Sequence, residues 1–122
     1  MSVQITRKQM KRGIKGVHVA RGNNNTRGIT FAPSWDMVSR WKAHQVTEAA
    51  YTKEYRLILE KIERKDWEWL SEQSIDNVVI VLCFCKDGDF CHTLVLIEYA
   101  LEHFSDLFKK FEDQKKTLWD FE

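Results

Sequence analysis

The sequence of 122 residues contains a single proline, Pro33, and no internal repeat, low-complexity tract or flexible linker. No apolar run approaches the roughly 20 residues that a membrane-spanning helix needs. The basic N-terminus is not followed by the apolar stretch of a secretory signal. A chain of this length is the usual size of one domain. These absences predict a single domain, residues 1–122, that is cytoplasmic and has no membrane partner.

Cysteine is scarce, and its three copies, Cys83, Cys85 and Cys91, lie within nine residues of one another. An odd number of cysteines in a reducing compartment argues against a disulfide framework, so we expect three free thiols. With His92, the three cysteines could supply four zinc ligands. The first two belong to a predicted buried strand, however, and no second Cys-x2-Cys pair accompanies them. We therefore expect neither a metal nor a cofactor.

Acidic residues are absent from residues 1–35, which carry seven Lys or Arg. The remaining 87 residues hold twelve basic and eighteen acidic side chains, so the overall net charge is only +1. A small phosphorylated ligand fits this asymmetry better than duplex DNA does, because nucleic-acid binders are usually strongly basic. The alternative is a solvated basic edge that has no partner.

Hydrophobic patterning predicts strands separated by helices. Residues 14–20 are β-branched and read as a strand, and residues 3–6 read as a shorter strand at an edge. The uninterrupted apolar run 78–85 is typical of a central strand that is covered on both faces.

Helices are predicted after the N-caps Ser34 and Thr47. A short helical turn is expected at residues 67–70. From Cys91 onward, apolar residues recur at spacings of three and four through Phe111. Strand, helices, strand and helix in this order imply a parallel crossover. The expected fold is a small three-layer α/β domain with a mainly parallel sheet and helices on both faces.

Ligands of open parallel sheets bind beyond the carboxyl ends of the strands, which here lead into the loops 21–28 and 86–91. Cys91 and His92 lie at the predicted start of the last helix. A cysteine there, beside an imidazole, is a candidate nucleophile with a lowered pKa. The alternative is that Cys91 fills the core and His92 is a hydrogen-bonded cap. Trp35 is a candidate for stacking on a flat ring, or else a core residue.

Five blocks follow one another along the sequence: 17–22 (VHVARG), 31–35 (FAPSW), 51–55 (YTKEY), 82–86 (LCFCK) and 90–92 (FCH). In order and spacing they resemble those of the Domain of Unknown Function 488 family, and the resemblance spans roughly residues 14–104. The block 31–35 and the paired blocks 82–86 and 90–92 are most similar to short members carried by bacteriophages. The family usually follows its Cys-His pair with arginine, whereas this chain has Thr93.

The residues and the resemblance together lead to three functional hypotheses. The first is binding of a small anionic, nucleotide-like molecule, which in a phage protein would act on host metabolism or sequester a host immune signal in the host cytoplasm. The second is a Cys/His-dependent enzyme of nucleotide or nucleic-acid chemistry. The third is an adaptor that binds a host protein through its acidic helical surface.

The candidate site follows from the same loops. Arg21 is expected to face the same cavity as His92 and to supply a fixed positive charge, while the backbone N–H groups from Cys91 to Thr93 bind an anion. The predicted catalytic residues are Cys91 and His92. The predicted ligand-binding residues are Arg21, Gly22, Trp35, Cys85, Lys86 and Thr93.

Overall fold

A computed structural model of the protein describes residues 2–20, 27–85 and 90–111. Its four strands are β1 (Val3–Gln9), β2 (Val17–His18), β3 (Val78–Cys83) and β4 (Phe108–Lys110). Its α-helices are α1 (Trp35–Lys42), α2 (Glu48–Glu60), α3 (Arg64–Glu72) and α4 (His92–His103), and a short 3-10 helix spans Arg27–Phe31. No helix within these three ranges is long and apolar enough to cross a bilayer.

All pairings in the sheet are parallel, and the strand order is β2-β3-β1-β4. The small α/β fold with a parallel sheet is therefore confirmed. The interior position of β3 agrees with its apolar sequence, although the strand ends at Cys83 rather than at Cys85. The N-caps Ser34 and Thr47 are also confirmed, since each side chain accepts a hydrogen bond from a backbone N–H of the following turn.

The core joins one face of the sheet to all four helices. Ile5, Val79 and Val81 share a face by strand register, and all three are buried. On the opposite face, Leu82 packs against the backbone at Gly16, where an added Cβ would lie 2.9 Å from Leu82 Cγ. The buried helical members of the core are Met37, Tyr51, Tyr55, Leu59, Trp67, Leu70, Val95, Leu96, Tyr99 and Ala100.

Three sequence predictions about the strands were wrong. Residues 3–6 are part of a seven-residue interior strand, β1, and not of an edge strand. Residues 14–20 supply only the two-residue edge strand β2. The predicted helical stripe through Phe111 ends at His103, and Phe108 instead begins β4.

Two predictions about the helices also need correction. The turn predicted at residues 67–70 is a nine-residue helix, α3. On α4, Leu94 follows Cys91 at the predicted spacing of three but is 45% exposed, whereas Leu96 and Ala100 are fully buried. The apolar residues of α4 surround the helix, so spacing alone did not identify the face that meets the sheet.

Candidate functional site

Three thiols meet where β3 ends and α4 begins. Cys83 is the last residue of β3, Cys85 follows two residues later, and Cys91 is the N-cap of α4. All three Sγ atoms lie within 4.8 Å of one another, and those of Cys83 and Cys91 are 3.1 Å apart. Cys83 and Cys91 are buried and Cys85 is half-buried, and all three are free thiols. We call these three side chains the sulfur cluster.

Arg7 supplies the positive charge of this cluster. It is the register partner of Val81, so its side chain leaves β1 on the core face of the sheet. Its guanidinium donates to Cys83 Sγ at 3.1 Å, to the carbonyl oxygen of Cys85 at 2.8 Å and to Thr93 Oγ1 at 3.0 Å. One planar group thus connects β1, the end of β3 and the start of α4.

The three thiols differ in acidity because they share hydrogen bonds. The pKa of Cys83 is lowered, since the thiols of Cys85 and Cys91 donate to its sulfur, and Arg7 and Thr93 add further donors. The pKa values of Cys85 and Cys91 are raised by their hydrogen bonds with Cys83 and by burial. The predicted lowering of the Cys91 pKa is therefore wrong, because the thiolate is favoured at Cys83, beside the guanidinium.

His92 is buried and held in one tautomer. Its Nε2 lies 2.9 Å from the carbonyl oxygen of Val19, and because a carbonyl only accepts, Nε2 carries the hydrogen. The bare Nδ1 then faces Cys91 Sγ at 3.7 Å. Burial lowers the pKa of His92, so the ring is neutral at pH 7. The edge of Tyr55 packs against the ring, with centroids 5.5 Å apart.

A cavity of about 140 Å³ opens beside the cluster. A dry apolar cavity of about 150 Å³ holds one benzene, so the space matches a single flat ring. Five of its twelve lining residues are Trp, Tyr or Phe, and Cys85, Cys91 and His92 lie on the side of the sulfur cluster. The remaining lining residues are Ala20, Pro33, Trp35, Val38, Trp41, Lys42, Tyr51, Phe84 and Phe90.

The structure brings together some of the predicted site residues. Trp35, Cys85, Cys91 and His92 line the cavity as a group. Thr93 does not line it: the side chain is fully buried, and its hydroxyl accepts from Arg7. Thr93 therefore contacts Arg7 behind the cavity wall, and its predicted role in ligand binding stays a prediction.

Other predicted residues lie outside the described ranges. These are Arg21, Gly22 and Lys86, so the pairing of Arg21 with His92 across one cavity stays a prediction. Ala20 and Cys85, which directly precede Arg21 and Lys86, both line the cavity.

Arg7 is the functional residue that sequence reasoning missed. The segment was read as a short edge strand, and Arg7 was counted only as one of several N-terminal basic residues. A usable signal was the alternation of Val3, Ile5 and Arg7, which places the arginine on the apolar face. Tyr51 and Phe90, which also line the cavity, were read as core or were not singled out.

Together these features define a parallel α/β domain with a partly buried arginine–cysteine–histidine cluster beside an aromatic cavity, at the carboxyl end of β3. Residues 4–103 match a family model, DUF488-N3a, described as the active DUF488-N3 subclade. The chain therefore belongs to the Domain of Unknown Function 488 family. No match was found among curated proteins or among solved structures.

Proposed function

We propose that the protein binds a small, flat-ringed anionic molecule, nucleotide-like in character, in the cavity beside the sulfur cluster. The observation that carries this proposal is the match between a cavity of about 140 Å³ and one aromatic ring, together with the aromatic wall around it. The ligand would place its ring among these side chains and its charged group toward the cations at the rim.

The aromatic wall supports the ring. Trp41 packs against Phe90 with centroids 5.0 Å apart and against Tyr51 at 5.6 Å, while Tyr51 and Phe90 meet edge to face. These mutual contacts hold the rings in place before a ligand arrives. Trp35 and Phe84 lie on the same cavity and are each 57% exposed. Large exposed apolar side chains beside a cavity are typical of a ligand-binding mouth.

The anionic part of the proposal depends on the charge distribution. Lys42 lies in the cavity wall, and residues 1–35 carry seven basic and no acidic residues. Arg21 and Lys86 follow the wall residues Ala20 and Cys85 in sequence. A phosphate or carboxylate at the rim would gain charge-assisted hydrogen bonds from such cations.

The biological setting belongs to the same proposal. The blocks 31–35 and 82–92 are most similar to short members of the family carried by bacteriophages. In that setting the protein would work in the host cytoplasm, where sequestering a nucleotide-like immune signal or altering host nucleotide metabolism requires only tight binding.

A calorimetric titration with nucleotides and nucleosides, chosen by a thermal-shift screen, tests the proposal. Trp35→Ala should weaken binding of the best ligand by about 1–3 kcal/mol, the usual value of one base–aromatic stack. Leu57→Ala is the matched control, since Leu57 is 51% exposed but does not line the cavity. The proposal is wrong if no such ligand binds, or if both variants bind it as the unmodified protein does.

An enzyme is the second candidate, and the position of His92 Nδ1 relative to Cys91 favours it. The bare nitrogen faces a thiol on the cavity wall, and the carbonyl oxygen of Val19 orients the ring. Nδ1 would accept the thiol proton as Sγ forms a bond to an electrophilic carbon of the ligand, and the imidazolium would return that proton to the leaving group. The description of the subclade as active supports this alternative.

Turnover distinguishes the two candidates. If Cys91 is the nucleophile, Cys91→Ser should abolish product formation while ligand affinity changes little. The unmodified protein is incubated with its ligand for a long time. Recovery of the ligand unchanged would contradict the enzyme hypothesis and support binding without turnover.

A further inference from the structure

We propose that Cys83, Cys85 and Cys91 form a site for one thiophilic divalent cation, Zn²⁺ or a similar ion, with its open coordination position toward the cavity. This inference does not depend on the proposed ligand, because it concerns the sulfur atoms and not the aromatic wall. It also departs from the expectation, drawn from the sequence, that no metal binds. That expectation rested on the absence of a second Cys-x2-Cys pair.

The geometry of the sulfur atoms carries the proposal. Zinc binds thiolates at about 2.3 Å, so tetrahedral thiolate ligands lie roughly 3.8 Å apart. In the sulfur cluster the distance is 3.1 Å between Cys83 and Cys91, and no pair of Sγ atoms exceeds 4.8 Å. These values bracket the required spacing, and small χ1 rotations would equalise them. The Cys83–Cys91 distance is also far longer than a disulfide bond of about 2.05 Å.

The fold explains why three thiols meet without a zinc-binding knuckle. Side chains two apart in an extended segment point the same way, so Cys83 and Cys85 face one side of the chain as β3 ends. Cys91 is the N-cap of α4, and it meets these two side chains from the start of that helix. A buried strand end thus supplies two ligands and a helix start the third, an arrangement that a search for paired Cys-x2-Cys motifs does not detect.

The charges around the cluster are consistent with a bound dication. Three thiolates, one divalent cation and the guanidinium of Arg7 sum to zero, which is what a buried site requires. The Arg7 N–H group donates to Cys83 Sγ at 3.1 Å, and Thr93 Oγ1 fixes the guanidinium from the other side. Donors of this kind commonly orient the ligands of metal sites.

The exposure of the ligands indicates where the open position lies. Cys85 and Cys91 line the cavity, whereas Cys83 is fully buried behind them. A cation held by all three sulfur atoms therefore faces the cavity with its fourth position. Three protein ligands and one exchangeable position are the pattern of catalytic zinc sites, whereas structural sites are closed.

Metal analysis and cobalt titration test the site. Protein purified without chelator should contain about one zinc per chain, and the metal-free protein should bind one Co²⁺ with an intense sulfur-to-cobalt charge-transfer absorption. Cys85→Ser and Cys91→Ser should each weaken Zn²⁺ binding at least tenfold, by analogy with the loss caused by changing even an outer-shell partner. His103→Ala is the control for metal capture at the surface, and it should leave affinity unchanged.

A second measurement on the unmodified chain covers variants that fail to fold. One equivalent of Zn²⁺ should protect all three thiols from alkylation, as counted by intact-protein mass spectrometry. Absence of stoichiometric binding, cobalt binding without charge-transfer absorption, or equal alkylation with and without Zn²⁺ would each overturn the proposal.

Discussion

Two buried regions of this small domain are built on opposite principles. Around Trp67 the packing is aromatic: Phe31 and Phe104 each lie 4.9 Å away between ring centroids, and Tyr99 stacks at 5.7 Å. The region around the sulfur cluster instead gathers a guanidinium, three thiols, an imidazole and a hydroxyl, of which Arg7 and Cys85 are half-buried. Its groups are joined by directed hydrogen bonds, whereas the Trp67 region is held together by ring contacts.

The polar groups of the second region have hydrogen-bond partners, and these partners limit the loss of stability that burial would cause. Arg7 donates to three different residues, and His92 donates to Val19. A buried polar group costs stability mainly when it lacks a partner. In the Trp67 region the buried indole Nε1 has no hydrogen-bond partner among the residues that the structure describes, and the surrounding apolar contacts must offset that cost. The aromatic region therefore supplies stability, and the sulfur cluster supplies fixed positions for chemistry.

The largest effect should come from the aromatic region. Trp67→Ala should lower the free energy of unfolding by about 3–5 kcal/mol, because it removes a fully buried ring and leaves a cavity. Trp35→Ala is the matched control: Trp35 is 57% exposed, and its loss should change stability by less than about 0.5 kcal/mol. Urea denaturation of both variants measures the difference. Equal losses would contradict the assignment of stability to the Trp67 region.

Local elements were easier to predict from sequence than the long-range contacts of the sulfur cluster. The apolar run 78–85 identified the interior strand β3, and the N-caps at Ser34 and Thr47 located two helices. Such signals are local, since they depend on neighbours a few residues away. The sequence also placed Cys91 and His92 at the start of a helix beside the cavity.

The alternation with Val3 and Ile5 could place Arg7 on the apolar face, but its partners could not be predicted because they depend on strand register. Arg7 and Thr93 are 86 residues apart, and they meet only because β1 pairs with β3 in parallel. The charge of Arg7 also weakened the apolar alternation that would have identified β1. The strand β4 is three residues long and two of them are lysine, which leaves almost no pattern to detect.

A medium effect should follow from breaking the polar network. Arg7→Met should lower the free energy of unfolding by about 1.5–3 kcal/mol, since hydrogen bonds to charged groups are lost and the Cys83 thiolate is left without its cation. Lys8→Met is the control on the same strand, because Lys8 is exposed, and it should be nearly neutral. Urea denaturation at pH 7 on metal-free protein compares the two.

The lysine variant sharpens this test. Arg7→Lys keeps the charge but loses the planar fork that reaches Cys83, Cys85 and Thr93 together. It should recover only part of the stability lost in Arg7→Met. Full recovery would show that the charge alone matters and that the directed bonds do not.

The smallest effect concerns how the free energy of unfolding depends on pH. This dependence distinguishes the two regions because His92 lies beside the sulfur cluster and not in the Trp67 region. Burial lowers the pKa of His92 below its ordinary value of 6.5, so the unfolded chain takes up this proton at a higher pH than the folded chain does. The contribution of neutral His92 is therefore fully present above about pH 6.5 and is lost as the pH falls toward the folded-state pKa. One proton limits the slope to about 1.4 kcal/mol per pH unit.

Urea denaturation of metal-free protein from pH 7.5 to 5.5 should show a shallower loss of stability in His92→Gln than in the unmodified chain. Trp67→Phe is the control and should keep the original slope, because it alters no titrating side chain. If His92→Gln retains the full slope, the imidazole is not the buried neutral base that its contact with Val19 indicates.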